Sequence, residues 1–214
     1  MNRSGTTPEI VVLAGTNGAG KSSVAGAALR QAGGDYFNPD EVARRLRDAD
    51  PDLPRREANS RAWHIGRHFL ETAIEQRFRF VFETTLGGRT ITGLLLKTAN
   101  VGLPVRAWYV GLDSVQRHLD RVRARVARGG HPIPEERIRE RYDASRENLV
   151  RLLPHLTELK LYDNSRERDP AEGVPPEPLL VLHLKEGRVL DACPIPDVPG
   201  WARPIVQRAW QIYG

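Results

Sequence analysis

The sequence predicts a three-layer α/β fold in which helices cover both faces of a parallel sheet. Three observations predict it. The run Glu9-Ile10-Val11-Val12-Leu13-Ala14 is apolar and β-branched with no polar alternation, the pattern of a central strand buried on both faces. It ends in glycines and leads straight into a helical stretch at residues 22–29. The same strand-then-helix rhythm recurs along the chain, and such alternation means parallel pairing through crossovers.

Taken in order, Tyr36-Phe37-Asn38-Pro39-Asp40 follows a short strand, and residues 41–46 are expected as helix. Arg79-Phe80-Val81-Phe82-Glu83 reads as a strand, with a helix at about 90–99. Residues 104–111 form another strand, followed by a long helix, and residues 158–162 a fourth strand of the same kind. The proline-rich stretch 170–178 reads as a surface loop, and 179–184 as a later strand. Beyond residue 186 a proline-rich tail ends in a short helix at 204–213, which Trp201 and Trp210 can anchor on the sheet. With no internal repeat, the expectation is a single domain over residues 1–214. Its core covers about 9–166, and a C-terminal strand and tail about 179–214.

At 214 residues, 40% hydrophobic and 28% charged, the chain has ordinary globular composition with material for a core. No run reaches the length of a membrane span, and Met1 to Glu9 lacks the charged-then-apolar layout of a signal peptide. The single cysteine, Cys193, excludes an internal disulfide and fits a reducing cytosol. The expected location is therefore the cytoplasm, with no membrane partner. Net charge is +5, and lysine occurs only at Lys21, Lys97, Lys160 and Lys185, so the positive charge is mainly arginine. A guanidinium grips phosphate with a bidentate fork, which suits a nucleotide enzyme. Without a basic low-complexity tail or a basic-aromatic repeat, nucleic acid is not an expected partner.

Gly15-Thr16-Asn17-Gly18-Ala19-Gly20-Lys21-Ser22 matches the Walker A pattern between a strand and a helix. Glycines let backbone N–H groups turn inward around phosphates, and the following helix aims its positive end at them. Lys21 reaches the β and γ phosphates, and the Ser22 hydroxyl is the candidate ligand for Mg²⁺. These residues, with Ser23 beside them, form the expected ATP site of a P-loop NTPase fold. Switches and ATPases carry the same loop, so the loop alone means nucleotide rather than kinase.

Asp40 lies just before a helix, where an aspartate can cap free N–H groups. Alternatively it accepts a proton from an acceptor hydroxyl during phosphoryl transfer, and both roles are compatible. Glu83 closes a strand at the edge where ligands bind in such sheets. There it can orient an acceptor hydroxyl, hold Mg²⁺ through water, or simply face solvent. Arg89 follows as a candidate for an anionic part of the acceptor. Between Ser114 and Arg128, Val115, Leu119, Val122 and Val126 share one helical face, and Arg117, Arg121, Arg125 and Arg128 the other. Those arginines would repel one another without an anion nearby. Gly129-Gly130-His131-Pro132 breaks the helix, and a second basic helix begins near Pro134 with Arg137 and Arg141. Helix, hinge and helix read as a lid over about 125–141 that closes on the triphosphate. His131 reads as a hinge or binding residue rather than a base.

These pieces together resemble the zeta toxin family of kinases, in its short branch. The resemblance rests on Gly15–Ser22, Asn38-Pro39-Asp40, Trp63 to Arg67 and Phe82-Glu83-Thr84-Thr85-Leu86. It continues through Gly129-Gly130-His131 to Tyr142 and Tyr162-Asp163-Asn164-Ser165, in family order over about residues 9–166. It implies a fold like the small nucleoside-monophosphate kinases with an arginine lid, using ATP and Mg²⁺. It implies Asp40 as the base, and Asn38, Arg67, Glu83, Thr85 and His131 at the acceptor. Arg125 or Arg128, with Arg141, would then lie on the phosphates, and Asn164 near the nucleotide base. The activity it implies is phosphorylation of the 3′-hydroxyl of the amino sugar in UDP-N-acetylglucosamine, as a toxin partnered by a protein antitoxin. The alternatives are a kinase for another hydroxyl acceptor (a nucleoside, dinucleotide cofactor or antibiotic) and a non-catalytic nucleotide-binding module.

Overall fold

Six strands form one mixed sheet in the order β2-β1-β3-β4-β5-β6. The strands are β1 (Ile10–Ala14), β2 (Phe80–Thr84), β3 (Val105–Gly111), β4 (Glu158–Asp163), β5 (Leu179–Lys185) and β6 (Arg188–Ala192). The computed structural model describes residues 7–24, 26, 34–130, 132–166 and 177–214. β1 pairs in parallel with β2 and β3, and β3 in parallel with β4. β5 and β6 then run antiparallel. The all-parallel sheet expected from the alternation therefore holds only for the first four strands. β6 lies within what reads in the sequence as an irregular tail. Its residues are mostly exposed, so the strand is specified by its partner rather than by an apolar run of its own.

The helices are α1 (Pro39–Ala49), α2 (Arg55–Gln76), α3 (Arg89–Asn100), α4 (Val115–Ala127), α5 (Glu135–Leu152) and α6 (Arg203–Tyr213). Residues 21–24 and 26 are also helical and open the helix that follows the glycine loop. The 22-residue α2 is absent from the sequence-based expectation. It carries a broken apolar stripe, Ala58, Ala62, Leu70, Ala73 and Ile74, in which alanines let the helix lie close to its neighbours. The short strand expected before Tyr36 falls mostly outside the described residues, and Phe37 makes a single parallel bridge to Phe82. The Phe37 carbonyl accepts from the Glu83 amide at 2.9 Å, so the chain enters α1 alongside the end of β2. Most of the loop expected at 170–178 lies outside the described residues.

β1 is completely buried, as its sequence requires. The main core joins Ile10, Val12, Leu70, Phe82, Tyr109 and Leu161 with Trp201 and Ile205 from the C-terminal segment. Trp201 is buried, stacks near Tyr109 with ring centroids 6.1 Å apart, and donates from Nε1 to Asp163 Oδ1 at 2.7 Å. The tail is thus a core element that reaches the functional end of β4. Trp201→Ala is expected to cost about 3–5 kcal/mol, the usual loss for a buried large aromatic. It should appear as a lowered urea midpoint, with Trp201→Phe falling between the variant and wild type.

Candidate active site

The loop after β1 is shaped by glycine where no other residue fits. Gly15 has φ +137°, and a Cβ there would lie 2.1 Å from the Val110 carbonyl oxygen of β3. Gly20 has φ +90°, and its Cβ would meet the Asn164 amide at 2.5 Å. A backbone oxygen beside Gly15 and the fixed Asn164 side chain beside Gly20, with positive φ at both, leave no room for a side chain. The Asn164 Nδ2 donates to the Ala19 carbonyl at 2.8 Å, and its backbone N–H to Gly111 at 3.0 Å. Ser23 turns its hydroxyl back onto the Gly20 carbonyl at 2.9 Å, closing the first helical turn.

Lys21 is only 6% exposed, and its Nζ lies 3.4 Å from Glu83 Oε1. Ser22 donates to Glu83 Oε2 at 2.8 Å, and Asn38 Nδ2 reaches the same oxygen at 3.4 Å. One carboxylate at the end of β2 thus gathers the two functional residues of the loop and the residue preceding α1. Glu83 is not a solvated strand end. The cap of α1 is Asn38, whose Oδ1 accepts from the Asp40 and Glu41 amides at 2.9 and 3.4 Å. The capping role considered for Asp40 belongs to Asn38, and Asp40 sits one residue inside the helix.

Asp40 lines two adjoining clefts. The first, about 410 Å³, is bounded by Asn17, Lys21, Asn38, Asp40, Glu83, Thr85, Arg67 and Arg141, with Trp63, Asn59 and Arg137 farther along. The second, about 390 Å³, contains Ser22, Asn38, Asp40, Arg44, Arg125, Gly129 and Gly130. Arg89 and Arg128 line neither. Arg89 begins α3 outside the cleft, and Arg128 Nε is bound to the Ala124 carbonyl at 3.1 Å. His131 lies outside the described residues. The arginine face of α4 is not a uniform anion trap. Arg117 pairs with Asp113 at 2.9 Å, and Arg121 donates to the Asn164 carbonyl at 2.8 Å.

The second helix of the expected lid is anchored in the core. Arg141 of α5 donates to Asn17 Oδ1 at 2.7 Å, while its carbonyl accepts from Thr16 Oγ1 at 3.3 Å. Burial draws the Arg141 pKa downward, as does the neighbouring Arg137 charge, while Asp40 opposes the shift. One turn along, Ser145 donates to the Thr85 carbonyl at 2.7 Å, and a further turn along Asn148 donates to the Leu86 carbonyl at 2.8 Å. The Ser145 proton being used there, Tyr109 OH at 3.0 Å is the donor to Ser145 Oγ, and burial lifts its phenol pKa to about 12. Leu86 holds φ +54°, so these bonds fix an otherwise disfavoured turn after β2.

Sequence reasoning missed Ser145, Asn148 and His118. His118 is buried on α4, and its Nδ1 lies 2.8 Å from the Asn17 carbonyl. A carbonyl only accepts, so the ring is the Nδ1–H tautomer and braces the loop from behind. Its one sequence signal is a polar residue beside Leu119 on the apolar face.

A family model described as AAA domain, AAA_33, matches residues 10–149. An uncharacterized Haemophilus influenzae protein is 33% identical over 136 residues, covering 62% of this chain and 91% of its own. Among solved structures, the AvrRxo1-ORF1:AvrRxo1-ORF2 complex with sulphate ions matches with a TM-score of 0.68 at 17% identity. The form with ATP gives 0.67 at 17% identity. Both alignments cover 96% of this chain, which spans 64% of the chain it matches. The PezAT toxin-antitoxin system of Streptococcus pneumoniae gives 0.52 at 15% identity, covering 81% of this chain and 75% of that one. At these identities the likeness is one of fold.

Burial, the largest influence, lowers the His118 pKa from 6.5 to about 4. Between those values the unfolded chain binds the proton and the native one does not. Stability from this group is therefore complete above pH 6.5 and declines toward pH 4, by roughly 1.4 kcal/mol per pH unit. His118→Asn, whose amide can still donate to Asn17, is expected to flatten urea midpoints over that window. An unchanged slope would assign the pH dependence to other groups.

Proposed function

The chain belongs to the AAA_33 family of AAA domains, and from that premise we propose that it is an ATP-dependent phosphotransferase acting on a hydroxyl of a small acceptor. The observation that carries this reading is Asp40. It borders both the cleft containing Ser22 and Arg125 and the cleft containing Lys21, Glu83 and Thr85. One carboxylate therefore lies between Ser22 and Arg125 on one side and, on the other, a larger cleft where Lys21 and Arg141 meet room for an acceptor.

In this reading the loop N–H groups and Lys21 hold the ATP phosphates, and Lys21 exchanges Glu83 for phosphate oxygen. Asp40 takes the proton of the acceptor hydroxyl as its oxygen bonds to the γ-phosphorus and the bond to the bridging oxygen breaks, releasing ADP. Glu83 and Thr85 orient the acceptor, with Asn38 and Arg67 at its sides. Arg141, lining one cleft, and Arg125, lining the other, offset the charge of the transferring group. The Ser22 hydroxyl and Glu83 carboxylate are hard oxygen donors 2.8 Å apart, a set suited to Mg²⁺. Ser22 would bind it directly and Glu83 through water, and the ion would neutralise phosphate charge.

The acceptor favoured is UDP-N-acetylglucosamine, supported by the motif resemblance to zeta toxin kinases; the PezAT system shares the fold. That system's toxin-antitoxin pairing likewise supports a protein antitoxin as a partner. With γ-labelled ATP, Mg²⁺ and this sugar nucleotide, label is expected on the sugar, and none with Lys21→Ala. Absence of transfer with ATP binding intact would overturn the acceptor assignment. Asp40→Asn is expected to keep ATP affinity and lose about 10²–10⁴ in turnover, the range for a positioned base. Unchanged turnover would remove Asp40 from the chemistry.

A further inference from the structure

We propose that the cleft face of α2 is a nucleobase platform, on which the acceptor stacks a planar heteroaromatic ring against Trp63 while its hydroxyl lies toward Asp40. This rests on reading the larger cleft as the acceptor site. It deepens that reading by assigning the acceptor's ring to particular side chains.

α2 has two working faces. Ala58, Ala62, Leu70, Ala73 and Ile74 are buried, while Asn59, Trp63, Gly66 and Arg67 line the cleft at helical spacing. Trp63 is 38% exposed. A large indole left half in water at the wall of a polar cleft has apolar area that a ligand ring would cover. Further apolar lining, including Phe37, Ile91, Pro132, Ile133 and Pro134, gives the cleft walls suited to a flat ring.

The polar residues match the rest of such a molecule. Arg67 is held by Glu71 at 2.8 Å, with its guanidinium carbon 5.9 Å from the Trp63 ring centre. Arg137, which pairs with Glu140 at 3.4 Å, lines the same cleft and supplies charge for a phosphate attached to the ring's sugar. Asn59, one turn before Trp63, has an amide that donates and accepts, as the edge of a nucleobase requires. A sugar phosphate without a base would use the arginines and leave the indole uncovered.

The test saturates the full-length protein with a non-hydrolysable ATP analogue and Mg²⁺, so that the loop site is filled. Uridine 5′-diphosphate, adenosine 5′-diphosphate and ribose 5-phosphate are then titrated calorimetrically. At least one nucleoside diphosphate is expected to bind tenfold or more tightly than ribose 5-phosphate. Trp63→Leu should weaken that ligand roughly 5- to 150-fold, the worth of one base stacked on an aromatic side chain. Trp63→Phe should restore part of the loss, and both variants should bind the ATP analogue as wild type does. No preference for base-bearing ligands, no binding by any of the three, or equal affinity in Trp63→Leu would overturn the platform. Base selectivity without transfer of label to any acceptor would count against the kinase reading and leave the platform standing.

Discussion

The site is organised around a lysine that has been taken out of water. Lys21 is nearly inaccessible, and a buried ammonium is costly unless a counter-charge is held beside it. Glu83 provides that charge from the end of β2, and its second oxygen binds Ser22 and Asn38. The consequence is geometric. The glycine loop of β1, the end of β2 and the start of α1 must meet at one carboxylate. That meeting sets Asp40 between the two clefts. The same contact holds the loop's lysine and serine in one arrangement.

α5 keeps the second wall in register. Arg141, Ser145 and Asn148 recur every three to four residues and bind Asn17, the Thr85 carbonyl and the Leu86 carbonyl in turn. One rigid helix therefore sets the distance between the glycine loop and the turn after β2. Buried polar groups are costly unless bonded, and here each has a specific partner, which is how such a stripe enforces one packing. A rigid α5 also changes the picture of the lid. Its core-facing half is fixed to the glycine loop and to the turn after β2, so this helix is part of the framework of the cleft.

The nucleotide loop is braced from the far side by the C-terminal segment. Trp201 donates to Asp163, whose same oxygen accepts from Ser165, and Ser165 accepts from the Asp113 amide. Asn164, between them, supports Ala19. The proline-rich tail, expected to be anchored by tryptophans, thus holds the strand end behind the glycine loop.

Local constraints were legible in the sequence. A glycine loop between a buried strand and a helix has few conformations open to it, so Gly15–Ser22 and the first four strands could be read directly. Asp40 and Glu83 were legible as candidates because strand ends and helix starts are marked by local pattern. Tertiary structure decided the rest. That Asn38 rather than Asp40 caps α1, that Arg117 and Arg121 bind Asp113 and Asn164, and that Arg89 and Arg128 lie away from the clefts depended on where side chains found partners in space. β6, His118, Ser145, Asn148 and Trp201 acquire their roles from residues far away in the chain. Such pairings leave no periodic signal, because the energy that selects them comes from burial and hydrogen bonding that exist only once the sheet and its helices have assembled.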